Sequence, residues 1–146
     1  MALTYAGANS LLNILCGKST SVPYSSVYVG LGTTATTPDR DGNGFTEPSG
    51  NGYARQLLGN STALLQKMGT PASGAVSNNN ASHEYKGKIY FPEATGSWGS
   101  IKYVGLFSAA TGGTLIAYAA LTGEAVAVAE GTNPVIPASS LTLSLT

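Results

Sequence analysis

The sequence predicts an all-β fold: an antiparallel two-sheet sandwich, jelly-roll-like, with a short helix at its N-terminus. Three observations carry that prediction. Glycine and proline punctuate the chain throughout, 19 and 7 of them in 146 residues, leaving few intervals long enough for a helix. The intervals are filled by Thr, Ser, Val, Tyr and Ala, the residue types that fit a pleated surface. Several of them alternate apolar and polar residues with period two, which sends successive side chains to opposite faces of a strand.

The N-terminus is the one helical candidate. Leu11, Leu12 and Leu15 recur at helical spacing, with Asn9 or Ser10 as cap and Gly17 as stop. Residues 1–22 are therefore read as a helical contact segment, and residues 23–146 as a single β-sandwich domain. After Pro23, Val27–Leu31 alternates and reads as the first strand. The polar stretch from Thr33 to Gly52 holds Asp39 and Asp41; loops of this length are functional or flexible more often than passive. Tyr53–Leu58 reads as a strand, Asn60–Lys67 as either strand or helix, and Gly69–Ser82 as a second loop with Asn78, Asn79 and Asn80 at its tip. Strands are expected at Lys86–Phe91, Ile101–Phe107, Leu115–Ala120, Glu124–Ala129 and Leu141–Leu145. With the ambiguous segment they number about eight, which suits a sandwich or jelly roll.

Composition excludes several function classes. Only 10% of residues are charged, and seven basic residues offset seven acidic ones. Binding to phosphates needs a basic stripe, and Lys86 and Lys88 are the only close basic pair, so no nucleic-acid partner is expected. An uncharged surface promotes association, which suits a subunit packed against neighbours. The first residues lack the basic region of a secretory signal, and the apolar run Leu11–Cys16 is too short to span a bilayer. Synthesis in the cytosol and no membrane partner are expected.

Fragments that look like chemistry have simpler explanations. Asp39-Arg40-Asp41-Gly42-Asn43-Gly44 follows the opening of an EF-hand loop, but Gly50 stands where a bidentate Glu closes the cage. Asx turns explain the same pattern. Gly17-Lys18-Ser19-Thr20 resembles the end of a phosphate loop whose leading glycine is here Leu12. A single histidine, His83 beside Ser82 in a polar segment, would have to join Asp39 or Asp41 across two loops to make a triad. One Cys and one His do not make a zinc site. No catalytic residue, metal or cofactor is expected. Aromatic residues that could stack on sugars or anchor an interface lie mostly within expected strands. Trp98, in the turn Thr95-Gly96-Ser97-Trp98-Gly99, reads equally as a core plug and as an interface anchor.

The segment Tyr28-Val29-Gly30-Leu31, the block Glu47-Pro48…Gly52-Tyr53-Ala54-Arg55 and the run Ile89–Gly99 come in order along the chain. Val104-Gly105-Leu106-Phe107, Gly112-Gly113-Thr114-Leu115 and Leu141-Thr142-Leu143 follow them. This succession resembles small virion structural proteins of tailed phages, tail-fibre and head-decoration proteins among them. It is also similar to the jelly-roll cement protein that covers the head of a Bordetella phage. The resemblance implies a capsid cement protein, made in the host cytoplasm and carried on the phage head surface, where it clamps the major capsid protein lattice. Its alternative is a tail-fibre or baseplate component involved in host attachment. A free carbohydrate-binding module on the same sandwich is a third reading, and an enzyme ranks last. Candidate contacts are Leu11, Leu12 and Leu15 on the N-terminal segment, Asp39 and Asp41 in the long loop, and Trp98. Self-association as a dimer is expected from the frequency of two-fold assemblies.

Overall fold

A computed structural model describes residues 1–18, 24–60, 81–85 and 87–145. Along the chain run β1 (Ala2–Leu3), α1 (Tyr5–Leu15), β2 (Ser26–Thr33), β3 (Gln56–Asn60), β4 (Ala81–Tyr85) and β5 (Ile89–Tyr90). They are followed by β6 (Gly99–Phe107), β7 (Leu115–Ala120), β8 (Val126–Val128), β9 (Val135–Ile136) and β10 (Leu141–Leu145). The main sheet has the order β1-β7-β6-β2-β3, with β8 pairing β6 beyond that path. Two ribbons, β4 with β10 and β5 with β9, complete the pairing, and every pair is antiparallel. The all-β, antiparallel class with one short N-terminal helix is thus what the chain adopts.

One apolar core joins these pieces. Val27, Val29 and Leu31 of β2, Ile101, Val104 and Leu106 of β6 and Ile116 of β7 pack in one cluster with Ile89 of β5, Leu141 of β10, Phe91 and Trp98. Ile136 of β9 packs against it. Among the described residues the layer opposing the main sheet is therefore two short ribbons rather than one continuous sheet. Alternation explains the burial: Val27, Val29 and Leu31 share one side of β2, so a single face of the main sheet receives the ribbons.

The elements differ from expectation where the sequence signal is weak. The helix begins at Tyr5, with Thr4 rather than Asn9 or Ser10 as its cap. Thr4 Oγ1 accepts from the Gly7 amide at 3.2 Å and donates to the carbonyls of Leu115 or Ile116 at 2.6 and 3.0 Å. The expected caps lie too far along, because the first turn carries no leucine to mark it. Gly17 ends the helix as expected, with φ of 67°, a backbone conformation that side chains disfavour. β1 and β9, two residues each, have no period to detect. Residues 81–85 form β4, paired residue for residue with β10, so His83 lies on a strand and not in a polar loop. Of the expected strand Lys86–Phe91, Ile89–Tyr90 form β5 and the Phe91 amide bonds the Pro134 carbonyl at 2.9 Å, while Lys86 lies outside the described residues. The segment Asn60–Lys67, beyond Asn60 itself, and the Asn78–Asn80 tip lie outside the described residues.

Candidate functional site

The long loop of residues 34–55 lies on the sheet, and glycines let it. Gly30 and Gly32 of β2 and Gly105 of β6 present no side chain toward it. A Cβ on Gly30 would meet Glu47 Oε1 at 2.7 Å and the Tyr53 hydroxyl at 3.0 Å; one on Gly105 would meet Phe45 Cζ at 2.8 Å. Phe45 stacks edge-on against Phe107, ring centroids 5.4 Å apart. The loop thus covers the sheet face that the ribbons leave open, a packing role that its polar composition conceals.

A polar clip fixes the second half of this loop. Gly50–Tyr53 is a tight turn closed by the Tyr53 amide on the Gly50 carbonyl at 3.0 Å, with Asn51 and Gly52 at positive φ, 51° and 77°. That geometry is the type I′ turn for which Asn-Gly is the preferred dipeptide. The turn returns the chain so that Tyr53 and Arg55 face Glu47. The Tyr53 hydroxyl donates to Glu47 Oε1 at 2.6 Å and accepts from the Leu31 amide at 2.8 Å. Arg55 Nε and Nη2 fork onto the Glu47 carboxylate, while Nη1 donates to the carbonyls of Ala109 and Gly112 at 2.8 and 2.6 Å. Burial, then the adjacent Glu47 carboxylate, pushes the Tyr53 hydroxyl far above its ordinary pKa. A 360 Å³ depression lined by Glu47, Pro48, Tyr53, Arg55 and Thr111 adjoins the clip. Glu47 and Arg55 already satisfy each other there, so the arrangement braces the loop and offers no free acid, base or nucleophile.

The expected contact residues separate into two places. The Asp39–Asp41 tip sits beside the start of α1: the Tyr5 amide donates to the Arg40 carbonyl at 2.8 Å, and the Arg40 guanidinium lies 4.8 Å from the Tyr5 ring centre. Asp39 Oδ1 accepts from the amides of Asp41 and Asn43 at 2.9 and 3.0 Å, and Asn43 Nδ2 donates to Oδ2 at 3.1 Å. The Asn43 side chain, against an opposing desolvation and with help from the backbone amides, holds the Asp39 carboxyl below the usual carboxylate range. The carboxylate caps its own turn, the Asx geometry. Among the described residues no three His, Cys, Asp or Glu side chains gather as metal ligands. No described helix is long and apolar enough to cross a membrane.

On α1, Leu11 is half-buried, whereas Leu12 and Leu15 are 54% and 73% exposed. Trp98 lies elsewhere. It is 4% exposed, its indole N–H donates to the Asn51 carbonyl at 2.8 Å, and its ring meets Tyr53 edge-on at 5.2 Å. Within this chain Trp98 fills the core. The Glu47–Tyr53–Arg55 clip is the grouping that sequence reasoning passed over. Its signal was available: two opposite charges, in a chain with few, flank an Asn-Gly turn.

Among the described residues the arrangement is that of a braced structural module with one apolar helix face left open. No curated protein matches the sequence, so the likeness to a head-covering cement protein finds no support there. Residues 2–144 match the family model described as podophage GP4 fiber I protein gp80, and the chain belongs to that family of phage virion structural proteins.

Proposed function

We propose that this chain is a fibre component of the podophage particle, a non-enzymatic part of its external attachment apparatus. The observation that carries the reading is the family match, which spans nearly the whole chain and is described as a fibre protein. Of the two readings raised from the sequence, the match favours the fibre over the head cement. The physical character of the chain agrees with it. A clipped loop, a core closed by short ribbons and few charges suit a rigid spacer or adaptor more than a catalyst. The open face of α1 suits attachment to a neighbouring subunit.

Copy number tests the proposal. Quantitative mass spectrometry of purified particles, scaled to the major capsid protein, should find a small fraction of one copy per shell subunit. Gold or antibody labelling of intact particles should mark the tail region. A copy number matching the shell protein, with label spread over the head, would replace the fibre with a capsid cement protein.

A further inference from the structure

The tripeptide Gly-Asn-Gly occurs twice in the loop of residues 34–55, as Gly42-Asn43-Gly44 and as Gly50-Asn51-Gly52. Asparagine before glycine is the pairing most open to deamidation, because no side chain shields the glycine nitrogen from the asparagine carboxamide. The two sites have the same neighbours on either side, so their intrinsic reactivity matches and the fold decides between them. Both asparagines are exposed, and among the described residues neither following glycine amide has an acceptor. The difference lies in what holds each asparagine.

Asn51 is tied into the core. Its Nδ2 donates to the Ser97 carbonyl at 2.9 Å, and its own carbonyl accepts from the Thr95 amide at 3.0 Å and the Trp98 indole N–H at 2.8 Å. Its Cγ lies 2.8 Å from where a Cβ on Gly96 would stand, so the carboxamide rests on that glycine. Ring closure at Asn51 takes the carboxamide off Ser97 and rotates the next peptide, carrying the carbonyl away from Thr95 and Trp98. Among the described residues Asn43 is held by Asp39 alone. Its Nδ2 donates to Asp39 Oδ2 at 3.1 Å, its amide donates to Oδ1 at 3.0 Å, and its carbonyl accepts from the Asp39 amide at 3.0 Å. All three bonds lie within one exposed turn, which opens without disturbing the core.

From this contrast we infer that Asn43 is a site of spontaneous deamidation and that the fold protects Asn51 from the same reaction. The Gly44 nitrogen attacks Asn43 Cγ. A nitrogen–carbon bond forms as the Cγ–Nδ2 bond breaks, and Nδ2 leaves as ammonia with the proton that Gly44 gives up. Water, the one co-reactant, then opens the cyclic imide at either carbonyl to give aspartate or isoaspartate. The product sets a carboxylate where an amide donor met Asp39 Oδ2, so two like charges face each other across the turn. Isoaspartate also routes the main chain through the former side-chain methylene and lengthens it. That turn presents the Arg40 carbonyl to the Tyr5 amide, 2.8 Å away. Deamidation therefore loosens the start of α1 as the protein ages. This holds wherever on the particle the protein sits, so it stands apart from the fibre reading.

Ageing the purified full-length protein in warm, mildly alkaline buffer supplies the test. Trypsin, cutting after Arg40 and Arg55, releases both asparagines in one peptide, and chymotrypsin, cutting after Phe45, separates them. Mass spectrometry reads the amide-to-acid mass gain at each, in native protein and in protein kept unfolded in guanidinium chloride. In the native protein Asn43 should convert roughly tenfold faster than Asn51, a local opening set against a tertiary one. In the unfolded protein the two rates should coincide. Asp39→Ala should speed conversion at Asn43 and leave Asn51 unchanged. Asn43→Asp, which installs one product, should quicken hydrogen exchange at the Tyr5 amide while circular dichroism matches wild type. Equal native rates, or an Asn43 that stays intact in the folded protein, overturn the inference. Unchanged Tyr5 exchange in Asn43→Asp overturns its consequence for α1.

Discussion

The Arg55 guanidinium and the Glu47 carboxylate form a forked ion pair, Nε 3.0 Å from Oε1 and Nη2 2.5 Å from Oε2. Arg55 also lies over the Phe107 ring, 3.5 Å from its centre, and holds the Ala109 and Gly112 carbonyls of the β6–β7 turn. One side chain therefore ties the loop, the turn and the sheet. Arginine is suited to this because its planar fork makes two parallel bonds and stacks on a ring, which an ammonium does not. Removing it leaves a carboxylate, 22% exposed at its side chain, with only Tyr53 beside it.

Arg55→Ala should destabilise the fold by about 3 kcal/mol, the low end for breaking a buried pair. Arg55→Lys should recover less than half of that loss. Asp41→Ala, in the exposed turn, should stay within about 0.5 kcal/mol of wild type. Urea unfolding of the three variants measures all of this. Equal stabilities would show that the fork adds nothing net.

The glycines under the loop predict a packing response. Gly105→Ala brings a methyl to 2.8 Å from both Phe45 Cζ and Leu115 Cδ1, inside contact distance. Overpacking of this kind costs about 1–3 kcal/mol. Phe45→Leu in the same chain should relieve part of the cost, giving a coupling of opposite sign in a double-mutant cycle. Strict additivity would show that Phe45 does not set the clearance.

These two sites mark the limit of what the sequence made legible. The spans Leu115–Ala120 and Leu141–Leu145 were read at their observed bounds, because glycine turns or alternation delimit them. The loop's role escaped for the converse reason. Gly30, Gly32 and Gly105 matter through side chains they lack, and an absent side chain leaves no hydrophobic pattern. Thr4 was missed as the cap because its hydroxyl answers to β7, more than a hundred residues away, as well as to Gly7. Trp98 read equally as plug and as anchor; its partner carbonyl, at Asn51, is fixed only once the Asn-Gly turn is folded.

Trp98 is the only tryptophan in the chain, so its fluorescence reports the core directly. Emission should be blue-shifted in the native protein and move red in a single step on unfolding. Trp98→Phe keeps most of the apolar volume but leaves the Asn51 carbonyl with only the Thr95 amide, 3.0 Å away. A loss of about 1–2 kcal/mol is expected for the deleted hydrogen bond and the volume change. Red-shifted emission from the folded protein would place Trp98 in water and sink the assignment.

Tyr53 predicts behaviour in alkali. Its folded pKa is raised, so its stabilising contribution is present below the ordinary tyrosine value near 10 and is lost as pH rises toward the folded value. Tyr53→Phe should cost about 1–3 kcal/mol at neutral pH, because Glu47 and the Leu31 amide each lose a partner. The difference between wild type and variant should then shrink above pH ~10. Phenolate absorbance should coincide in the two proteins until they unfold; an earlier excess in wild type would mean that Tyr53 titrates in the native state.

Asp39 predicts the opposite limb. Its folded pKa is depressed, first by the Asn43 side chain, and the linkage sign follows from that. The ionised carboxylate contributes stability above the unfolded Asp value of ~3.9, and that contribution drains away as pH falls through the lower, folded value. Asp39→Asn keeps one oxygen for the Asp41 and Asn43 amides but removes the charge that the Asn43 amide group meets. The stability gap between wild type and variant should therefore be constant from pH 7 to about 5 and narrow below ~4. The turn also supports Tyr5 through the Arg40 carbonyl, so amide exchange at Tyr5 should be faster in the variant than in wild type above pH ~5, with the difference fading below ~4. A gap that stays constant into strong acid would mean that the Asp39 charge is not what holds the turn.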